Sequence, residues 1–525
     1  MPEASFSRGA SPGAQQPPTA VPRADVPRAD PPPSAIRAAA AAGPAGLLAS
    51  LAPLLSEWLP RQRWFAGKGR PVTGFALVCA TELLPCATSG TTPGLLHLLI
   101  RAQQPEPPGH RHGSGCGHRR GAAASDCYQI LLGVRATLPP HLAPALIGRP
   151  SGGPLHGRTV YEALLDPRLA TLLLERLRMP GTLGPLRFLR EPSADIPSGL
   201  APRLVTAEQS NSSVIYGDTF ILKLFRRVSP GTNPDLELPL ALARTDCTRV
   251  PAPAAWFEAA PLGEGAGAGA SAGAGPRADP FTLGVLQPYL AGSTDGWQLA
   301  LDAVAARGDF TAAAHALGQA TAEVHLAMAR ALPTSHLRRP QIEHLAAAMS
   351  ERLDSAAAAV PALHPYRAAL HSAYEDLAAL GRAGRTWTAQ RIHGDLHLGQ
   401  VLRRTVEGAA RWSLIDFEGE PSRPLDERRR PQPAVRDIAG MLRSFDYAAA
   451  VGGHDSPQDW AGRSRAAYCA GYAEASGADP RDDPELLRAH ETDKAVYEVV
   501  YEARHRPEWL PVPMSAIRRL AATRT

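Results

Sequence analysis

The segment that most constrains this chain is R-I-H-G-D-L-H-L-G-Q at 391–400, followed by L-I-D-F-E at 414–418. An apolar lead-in brings Asp395 to a turn, and Gln400 lies five residues beyond it. Asp416 ends a second short apolar run, which we predict to be a strand. Phosphoryl transfer needs such a set, because one carboxylate orients a hydroxyl and accepts its proton, while a second carboxylate and an amide oxygen hold Mg²⁺ against nucleotide phosphates.

The same offsets occur in protein kinases, where a metal-binding Asn follows the catalytic Asp by five residues and a second metal-binding Asp opens D-F-G. Here Asp395 would be the base, and Gln400 and Asp416 would be the ligands of Mg²⁺, with Mn²⁺ as an alternative. Glu418 replaces the glycine and makes the metal environment more acidic. Two unrelated aspartates in surface turns are the alternative, but the paired spacing favours an ATP-dependent kinase.

The composition indicates a multidomain protein with a small-molecule ligand. A chain of 525 residues with 44% hydrophobic residues predicts two or three packed domains. Its 52 Pro and 47 Gly indicate linkers and insertions. The net charge of +5 suits an anionic ligand such as a nucleotide. Because no basic run is interleaved with aromatic residues, we do not expect nucleic-acid binding.

Cysteine usage and hydropathy favour a cytoplasmic protein without a metal scaffold. The six cysteines are scattered without a C-x-x-C pair, which argues against disulfides and zinc. The H-R-H-G-S-G-C-G-H segment at 110–118 lacks a second ligand pair, so we interpret it as a flexible insertion instead of a metal site. The chain has no apolar run long enough to span a membrane and no secretory pattern at its start, so we expect no membrane association.

The first third of the chain predicts a tail and a separate domain. Residues 1–35 are rich in Pro and Ala and are expected to be disordered. Residues 36–180 are assigned to an N-terminal domain with an amphipathic helix ending near Trp58, an antiparallel meander, and a helical apolar face over 160–178. The three strands predicted for the meander are Phe75–Leu84, Leu95–Arg101 and Tyr128–Val134.

Residues 181–291 are predicted to form a small nucleotide-binding lobe. A hairpin turning at Gly217-Asp218 leads into the strand F-I-L-K-L-F, in which Lys223 is flanked by apolar residues. A lysine in such a strand is costly unless its charge has a partner. A nucleotide phosphate and Glu237, on the helix expected to start near Pro234, would supply one. The alternative is an edge-strand lysine whose ammonium reaches water.

The rest of the chain predicts the other half of a bilobal α+β fold. A Gly/Ala-rich insertion at 262–280 precedes a strand ending near Leu290, where Gln287 and Tyr289 would lie against the adenine. Residues 292–525 carry helical patterns before and after the catalytic segment. We therefore expect a protein-kinase-like fold with an antiparallel-sheet N-terminal domain and a mainly helical C-terminal lobe.

These motifs together resemble those of the aminoglycoside-phosphotransferase-like kinases, which keep the protein-kinase fold and act on small molecules. The nearer resemblance is to the bacterial maltokinases. It rests on seven segments spread over most of the chain from about residue 45 onward: 64–69 (W-F-A-G-K-G), 208–217, 221–240, 294–297 (T-D-G-W), 393–400, 415–421 and 436–446.

The resemblance implies ATP-dependent phosphorylation of maltose at its anomeric hydroxyl, giving maltose 1-phosphate for α-glucan synthesis. It makes residues 36–180 a cap domain on the kinase lobe. It also implies that Asp395 orients the sugar hydroxyl and that Lys223, braced by Glu237, holds the α- and β-phosphates. A serine-rich stretch would cover the phosphates in place of a glycine-rich loop: Ser210, Asn211, Ser212 and Ser213.

The sugar site implied by the resemblance lies near the C-terminus. Lys494, Tyr497 and Tyr501 recur at i, i+3 and i+7 and so share one helix face. Aromatic rings stack on sugar C–H surfaces, and a lysine donates to hydroxyls. His393 is grouped with these substrate residues, although it and Arg443 are interpreted mainly as structural supports. A buried helix face is the alternative for the lysine and the two tyrosines.

Three functions remain open at this point. The first is the maltokinase, with maltose and ATP as ligands and an enzyme that interconverts trehalose and maltose as a candidate partner. The second is a kinase for another sugar, an amino sugar or an aminoglycoside. The third is an inert nucleotide-binding scaffold, which the intact Lys223, Asp395, Gln400 and Asp416 disfavour.

Overall fold

A computed structural model of the protein describes residues 35–86, 92–105, 126–205, 210–260, 279–420, 423–453 and 457–522. The predicted disordered tail lies outside the described residues except for Ala35. Most of the segment at 103–126, with its histidine-rich part, and nearly all of the Gly/Ala-rich insertion at 262–280 also lie outside them. No helix of the described part of the chain is long and apolar enough to cross a membrane.

The N-terminal domain is an antiparallel sheet packed against a long helix. The three strands of the predicted meander are confirmed, and the sheet order is β1-β2-β3-β5-β4. The helix predicted over 160–178 begins only at Pro167, because Thr159–Glu162 pairs with the third strand and Asp166 then caps the helix. The elements are α1 Ala35–Trp58, β1 Gly74–Leu84, β2 Gly94–Gln103, β3 Cys127–Arg135, β4 Leu146–Gly148, β5 Thr159–Glu162 and α2 Pro167–Arg178.

A second antiparallel sheet forms the lobe that was predicted to bind the nucleotide. Its seven strands are ordered β6-β7-β12-β13-β10-β9-β8. The predicted hairpin is confirmed, with Gly217 at φ +57° in the turn between β9 and β10. The elements are β6 Gly181–Leu183, β7 Leu186–Arg190, β8 Pro202–Val205, β9 Asn211–Tyr216, β10 Phe220–Phe225, β11 Arg227–Val228, α3 Pro234–Ala243, β12 Ala255–Ala259 and β13 Phe281–Pro288.

The two sheets are joined through the backbone. The chain leaves β10 after Phe225, and β11 then pairs with β3, with Arg227 opposite Tyr128. The buried Gln129 on β3 donates from its amide nitrogen to the carbonyl oxygens of Phe225 and Leu283, at 2.9 and 2.8 Å. The strand that carries Lys223 is therefore tied directly to the N-terminal domain.

The C-terminal lobe is mainly helical, as predicted. A three-stranded sheet, β14-β17-β18, contains the strands that connect the 391–400 and 414–418 motifs. The elements are β14 Thr294–Asp295, α4 Gly296–Ala305, α5 Thr311–Ala331, β15 Ser335–Leu337, α6 Arg339–Ala359, α7 Arg367–Arg382, β16 Trp387–Ala389, β17 Val401–Val406, β18 Ala409–Leu414, α8 Leu425–Arg428, α9 Val435–Val451, α10 Pro457–Ser476, α11 Pro484–His505 and α12 Pro511–Ala522.

Candidate active site

Hydrogen bonds to helix α9 fix the loop that carries Asp395. The buried carboxylate of Asp437 accepts the backbone N–H groups of His393 and Gly394, at 2.7 and 2.8 Å, and lies 3.1 Å from His325 Nε2. Burial acts to raise the pKa of Asp437, but the hydrogen bond and charge of His325 outweigh it and lower that pKa. An ionised carboxylate therefore fixes the backbone on which Asp395 sits.

Close packing also fixes this loop. A Cβ added to Gly440 on α9 would lie 2.6 Å from the carbonyl oxygen of Leu396. Real Cβ atoms do not approach a carbonyl oxygen that closely, so only glycine lets the loop rest on the helix. The preformed loop leaves little freedom for the Asp395 side chain to be misplaced.

His393 is a structural residue, and its grouping with the substrate residues is wrong. Its ring is only 1% exposed, packs 4.6 Å from the ring of Phe417, and places Nε2 2.9 Å from the carbonyl oxygen of Ile415. The imidazole is thus enclosed between the catalytic loop and the D-F-E segment. It links Asp395 to Asp416 without lining the cavities described below.

Lys223 lies at the centre of the nucleotide side of the cleft. Its ammonium contacts Asp235 at 2.8 Å, Asp416 at 2.5 Å and Glu418 at 2.8 Å. Burial acts to lower the pKa of Lys223, but the three carboxylates raise it well above its usual value. Asn211 donates to Glu418 at 2.5 Å, which ties the serine-rich strand to the same cluster.

The helix partner of Lys223 is Asp235, and the prediction of Glu237 is wrong. Helix α3 begins at Pro234 behind an Asn233 cap, and this start turns Asp235 toward the sheet. Residues two apart on a helix point to nearly opposite sides. Glu237 therefore faces away and pairs with Arg391 at 2.8 Å and Arg429 at 3.2 Å, which joins the helix to the catalytic loop.

The carboxylates around Lys223 suit a divalent cation. Oxygens of Asp235, Asp416 and Glu418 lie within 4.8 Å of one another, and Gln400 donates to Asp416 at 3.0 Å. Three carboxylates face one ammonium, and carboxylate and amide oxygens are the ligands that Mg²⁺ prefers. The predicted ligands Gln400 and Asp416 are thus adjacent, and Glu418 and Asp235 complete a donor set of the required chemistry.

Asp416 has an unusual backbone. Its φ of +65° is rare for a residue other than glycine. The next N–H group, of Phe417, donates to Asp235 Oδ1 at 2.6 Å and stabilises this turn. Burial acts to raise the pKa of Asp416, but Lys223 outweighs it and lowers that pKa.

A cavity of about 530 Å³ adjoins this cluster and fits a nucleotide by its position. Besides Glu237, two of the residues predicted to bind the nucleotide do not line it. Side chains alternate along a strand, so Ser212 lies on the opposite face of β9 and accepts from Arg226 at 2.8 Å. Tyr289 lies past the end of β13, and its backbone N–H donates to the carbonyl oxygen of Thr219 at 2.8 Å. The predicted residues that line this cavity are Ser210, Asn211, Ser213, Lys223, Gln287, Gln400 and Asp416.

On the sugar side, the structure brings the predicted residues together around Asp395. Lys494 donates to Asp395 at 2.9 Å and lies 5.1 Å from the centre of the Tyr497 ring. Tyr497 and Tyr501 stack with centroids 6.3 Å apart. Burial acts to lower the pKa of Lys494, but Asp395 and Glu420 raise it, so Lys494 is charged.

Two cavities meet at Asp395, Lys494 and Tyr497. The first, of about 560 Å³, also contains residues that sequence reasoning gave no role; the T-D-G-W motif was a signal only for Asp295 and Trp297. The second, of about 430 Å³, lies toward α6. The additional residues of the first are chiefly Asp295, Trp297, Tyr447, Glu498, Glu502 and Trp509. Those of the second include Arg352, Glu420, Arg436, His490 and Asp493.

Three glutamates on the sugar side are paired with arginines. Glu498 lies 2.8 Å from Arg443, which is 1% exposed. Glu502 lies 2.7 Å from Arg506. Glu420 contacts Arg423 and Arg436 at 2.6 and 3.0 Å. Burial acts to raise the pKa of Glu420, but Lys494 and the two arginines lower it strongly.

The fold and this site define a small-molecule kinase, and comparison with known families agrees. Residues 58–166 match the maltokinase N-terminal cap domain. Residues 202–480, more than half of the chain, match the phosphotransferase enzyme family. The chain therefore belongs to the phosphotransferase enzyme family, and it carries a maltokinase-type cap.

Two curated relatives are glucosamine kinases. That of Streptacidiphilus jiangxiensis is 31% identical over 346 residues, which span 60% of this chain and 73% of the relative. That of Mycolicibacterium smegmatis is 29% identical over 339 residues, spanning 60% and 78%. The family, the cap and these relatives confirm the predicted class, an ATP-dependent sugar kinase.

Solved structures confirm the predicted bilobal fold. A glucosamine kinase, in crystal form B, aligns with a TM-score of 0.61 at 22% identity, over 90% of this chain and 99% of that chain. A glucosamine kinase in complex with glucosamine, ADP and inorganic phosphate aligns with a TM-score of 0.58 at 23% identity, over 89% and 98%. At these identities the likeness concerns the fold.

Proposed function

We propose that this enzyme transfers the γ-phosphoryl group of ATP to the anomeric hydroxyl of maltose, giving maltose 1-phosphate and ADP. The observation that carries the proposal is the position of Asp395. It lies between the carboxylate cluster around Lys223 and the face formed by Lys494, Tyr497 and Tyr501. A sugar stacked on that face presents a hydroxyl to Asp395.

In the proposed reaction, the sugar hydroxyl oxygen forms the new bond to the γ-phosphorus. The bond from that phosphorus to the β–γ bridging oxygen breaks, and ADP leaves with the electron pair. The hydroxyl proton passes to Asp395, which orients the nucleophile. Lys223 holds the α- and β-phosphates, and Gln400 and Asp416 would hold Mg²⁺, which neutralises charge on the phosphates when bound.

Two features of the sugar side support a neutral disaccharide. The carboxylates of Glu420, Glu498 and Glu502 are already matched by arginines, so they offer little net charge to a cationic acceptor. The two cavities that meet at Asp395 leave room for a second ring beside the reacting one. Aromatic walls around polar groups are typical of sites that bind sugars by stacking and hydrogen bonds.

Glucosamine is the second candidate. The curated relatives are named glucosamine kinases. Asp295 also lines the larger cavity, and its carboxylate makes no ion pair with the part of the chain that is described; it caps α4 through the N–H of Gln298 at 3.1 Å. An unpaired carboxylate is a feature that an amino sugar would exploit.

The test is ADP release with ATP, Mg²⁺ and each of maltose, glucose, trehalose, glucosamine and kanamycin, followed by acid treatment of the product. We expect the highest turnover with maltose and an acid-labile product, because an anomeric phosphate hydrolyses readily. Turnover with glucosamine alone, or an acid-stable product from maltose, would overturn the maltose proposal and leave the kinase assignment in place.

A further inference from the structure

The cap domain forms part of the wall of the catalytic centre. A cavity of about 330 Å³ is lined by Arg63 and the residues up to Ala66, and also by Asp395, Gln400 and Asp416. Gln400 and Asp416 also line the nucleotide cavity, and Asp395 also lines both sugar-side cavities. The cap loop therefore faces the place where the two substrates meet.

Arg63 is available for a ligand at this place. Its side chain is exposed, and it forms no ion pair with any residue in the described ranges of the chain. Two other arginines line the same cavity, but Arg428 donates to the carbonyl oxygen of Glu418 at 2.8 Å and Arg227 has Asp126 at 3.6 Å. Arg63 is thus the arginine of this cavity whose guanidinium is not already engaged.

The loop that carries Arg63 is firmly anchored in the cap. Trp64 packs against Trp58 and Tyr128, with ring centroids 5.8 and 6.0 Å apart. Phe65 is 2% exposed, and the N–H of Ala66 donates to the Tyr128 hydroxyl at 3.3 Å. A rigid loop positions an arginine at low entropic cost.

A second connection joins this loop to strand β9, which was predicted to cover the nucleotide phosphates. The guanidinium of Arg226 lies 5.1 Å from the centre of the Trp64 ring and donates to Ser212 Oγ at 2.8 Å. Its other end pairs with Glu162 of the cap at 3.0 Å. The cap loop and strand β9 are therefore held at a defined distance from each other.

We propose that Arg63 of the cap domain is a catalytic residue of the kinase and contacts the phosphoryl group during its transfer. Charge spreads over the three equatorial oxygens of that group in the transition state, and a planar guanidinium matches them. The assignment explains why the cap meets the catalytic lobe at this loop, and it concerns every sugar that the enzyme accepts.

The test compares Arg63→Ala and Arg63→Lys with the control Arg61→Ala, which removes an exposed arginine two residues away that does not line the cavity. The assay uses the sugar with the highest turnover. We expect Arg63→Ala to lower kcat by about 100-fold or more, with little change in the affinity for ADP. Arg63→Lys should retain part of kcat, since it keeps the charge without the fork.

A binding measurement separates a catalytic role from a structural one. ADP with Mg²⁺ and aluminium fluoride mimics the planar phosphoryl group, and calorimetry should show that Arg63→Ala weakens this ternary mimic at least about tenfold more than it weakens ADP alone. Three results would each overturn the proposal. Arg63→Ala could lose equal affinity for both ligands, its kcat could equal that of Arg61→Ala, or a lowered melting temperature could account for the lost activity.

Discussion

The two sides of the catalytic cleft differ in how their charges are balanced. On the nucleotide side, one ammonium, that of Lys223, faces the three carboxylates of Asp235, Asp416 and Glu418. On the sugar side, four carboxylates each have a cationic partner: Asp395 with Lys494, Glu420 with Arg423 and Arg436, Glu498 with Arg443, and Glu502 with Arg506. Asp295 is the exception described above.

This difference indicates what each side binds. An excess of negative charge in a buried cluster is stabilised by a divalent cation, which brings the nucleotide phosphates with it. A balanced set of buried charges presents hydrogen-bonding groups with little net field, which suits an uncharged polyol. Asp395 lies on the boundary, since its partner Lys494 belongs to the sugar side.

The largest effect should come from Asp395→Asn. The substitution keeps the size of the side chain but removes the base, so we expect kcat to fall by about 10²–10⁴-fold. ADP affinity and the melting temperature should be retained, because the loop is held by Asp437. Full activity in this variant would show that Asp395 is not the catalytic base and does not mark the boundary between the two sides.

Arg443→Met should unbalance the sugar side. Removing this buried arginine leaves Glu498 without its partner at 2.8 Å, and breaking such a pair costs about 3–5 kcal/mol. Urea unfolding of this variant measures the loss. The double variant Arg443→Met with Glu498→Gln should recover part of the stability, because no uncompensated charge remains; equal stability of the single and double variants would contradict the balanced description.

Tyr501→Ala should weaken the sugar face without affecting the nucleotide. Loss of one stacking ring costs about 0.5–1.5 kcal/mol, so the KM for maltose should rise about 2- to 12-fold while the KM for ATP is unchanged. Tyr501→Phe is the matched control, since it keeps the ring that stacks on Tyr497. Steady-state kinetics with both substrates would detect a different result, such as a change in the KM for ATP.

His490 offers a pH test of the balanced side. It lines the smaller sugar-side cavity, and burial lowers its pKa to about 4. The folded pKa lies below the unfolded value of about 6.5, so the unfolded chain binds the proton more readily than the folded protein does. The free energy of unfolding should therefore fall as the pH is lowered from about 6.5 to about 4. His490→Gln should reduce this slope in urea unfolding; an unchanged slope would show that other groups cause it.

Local motifs were enough to predict that Lys223, Gln400 and Asp416 lie together, because spacing along one strand or loop places these residues. The offsets of Gln400 and Asp416 from Asp395 and the strand position of Lys223 were enough for this. The error at Glu237 came from two residues of helix register, since the sequence contains acids at both 235 and 237. The start of α3 at Pro234 was predicted, but the sequence does not show which face of the helix packs toward Lys223.

The sugar side and the cap were less predictable, because their residues come from distant parts of the chain. Lys494, Tyr497 and Tyr501 could be grouped by helix periodicity, but Trp297 and Asp295 reach the same cavity from another helix. His393 was misplaced because the motif does not reveal which way its ring turns. The pairing of β11 with β3, which ties the cap to the strand of Lys223, leaves no pattern in the sequence.

The most direct test of the contrast between the two sides is binding without chemistry. Asp395→Asn enzyme saturated with ADP and Mg²⁺ would be titrated with maltose and with glucosamine in a calorimeter at constant pH. The balanced sugar side predicts that maltose binds at least about tenfold more tightly than glucosamine. Tighter binding of glucosamine would contradict this prediction and favour an amino sugar as the acceptor.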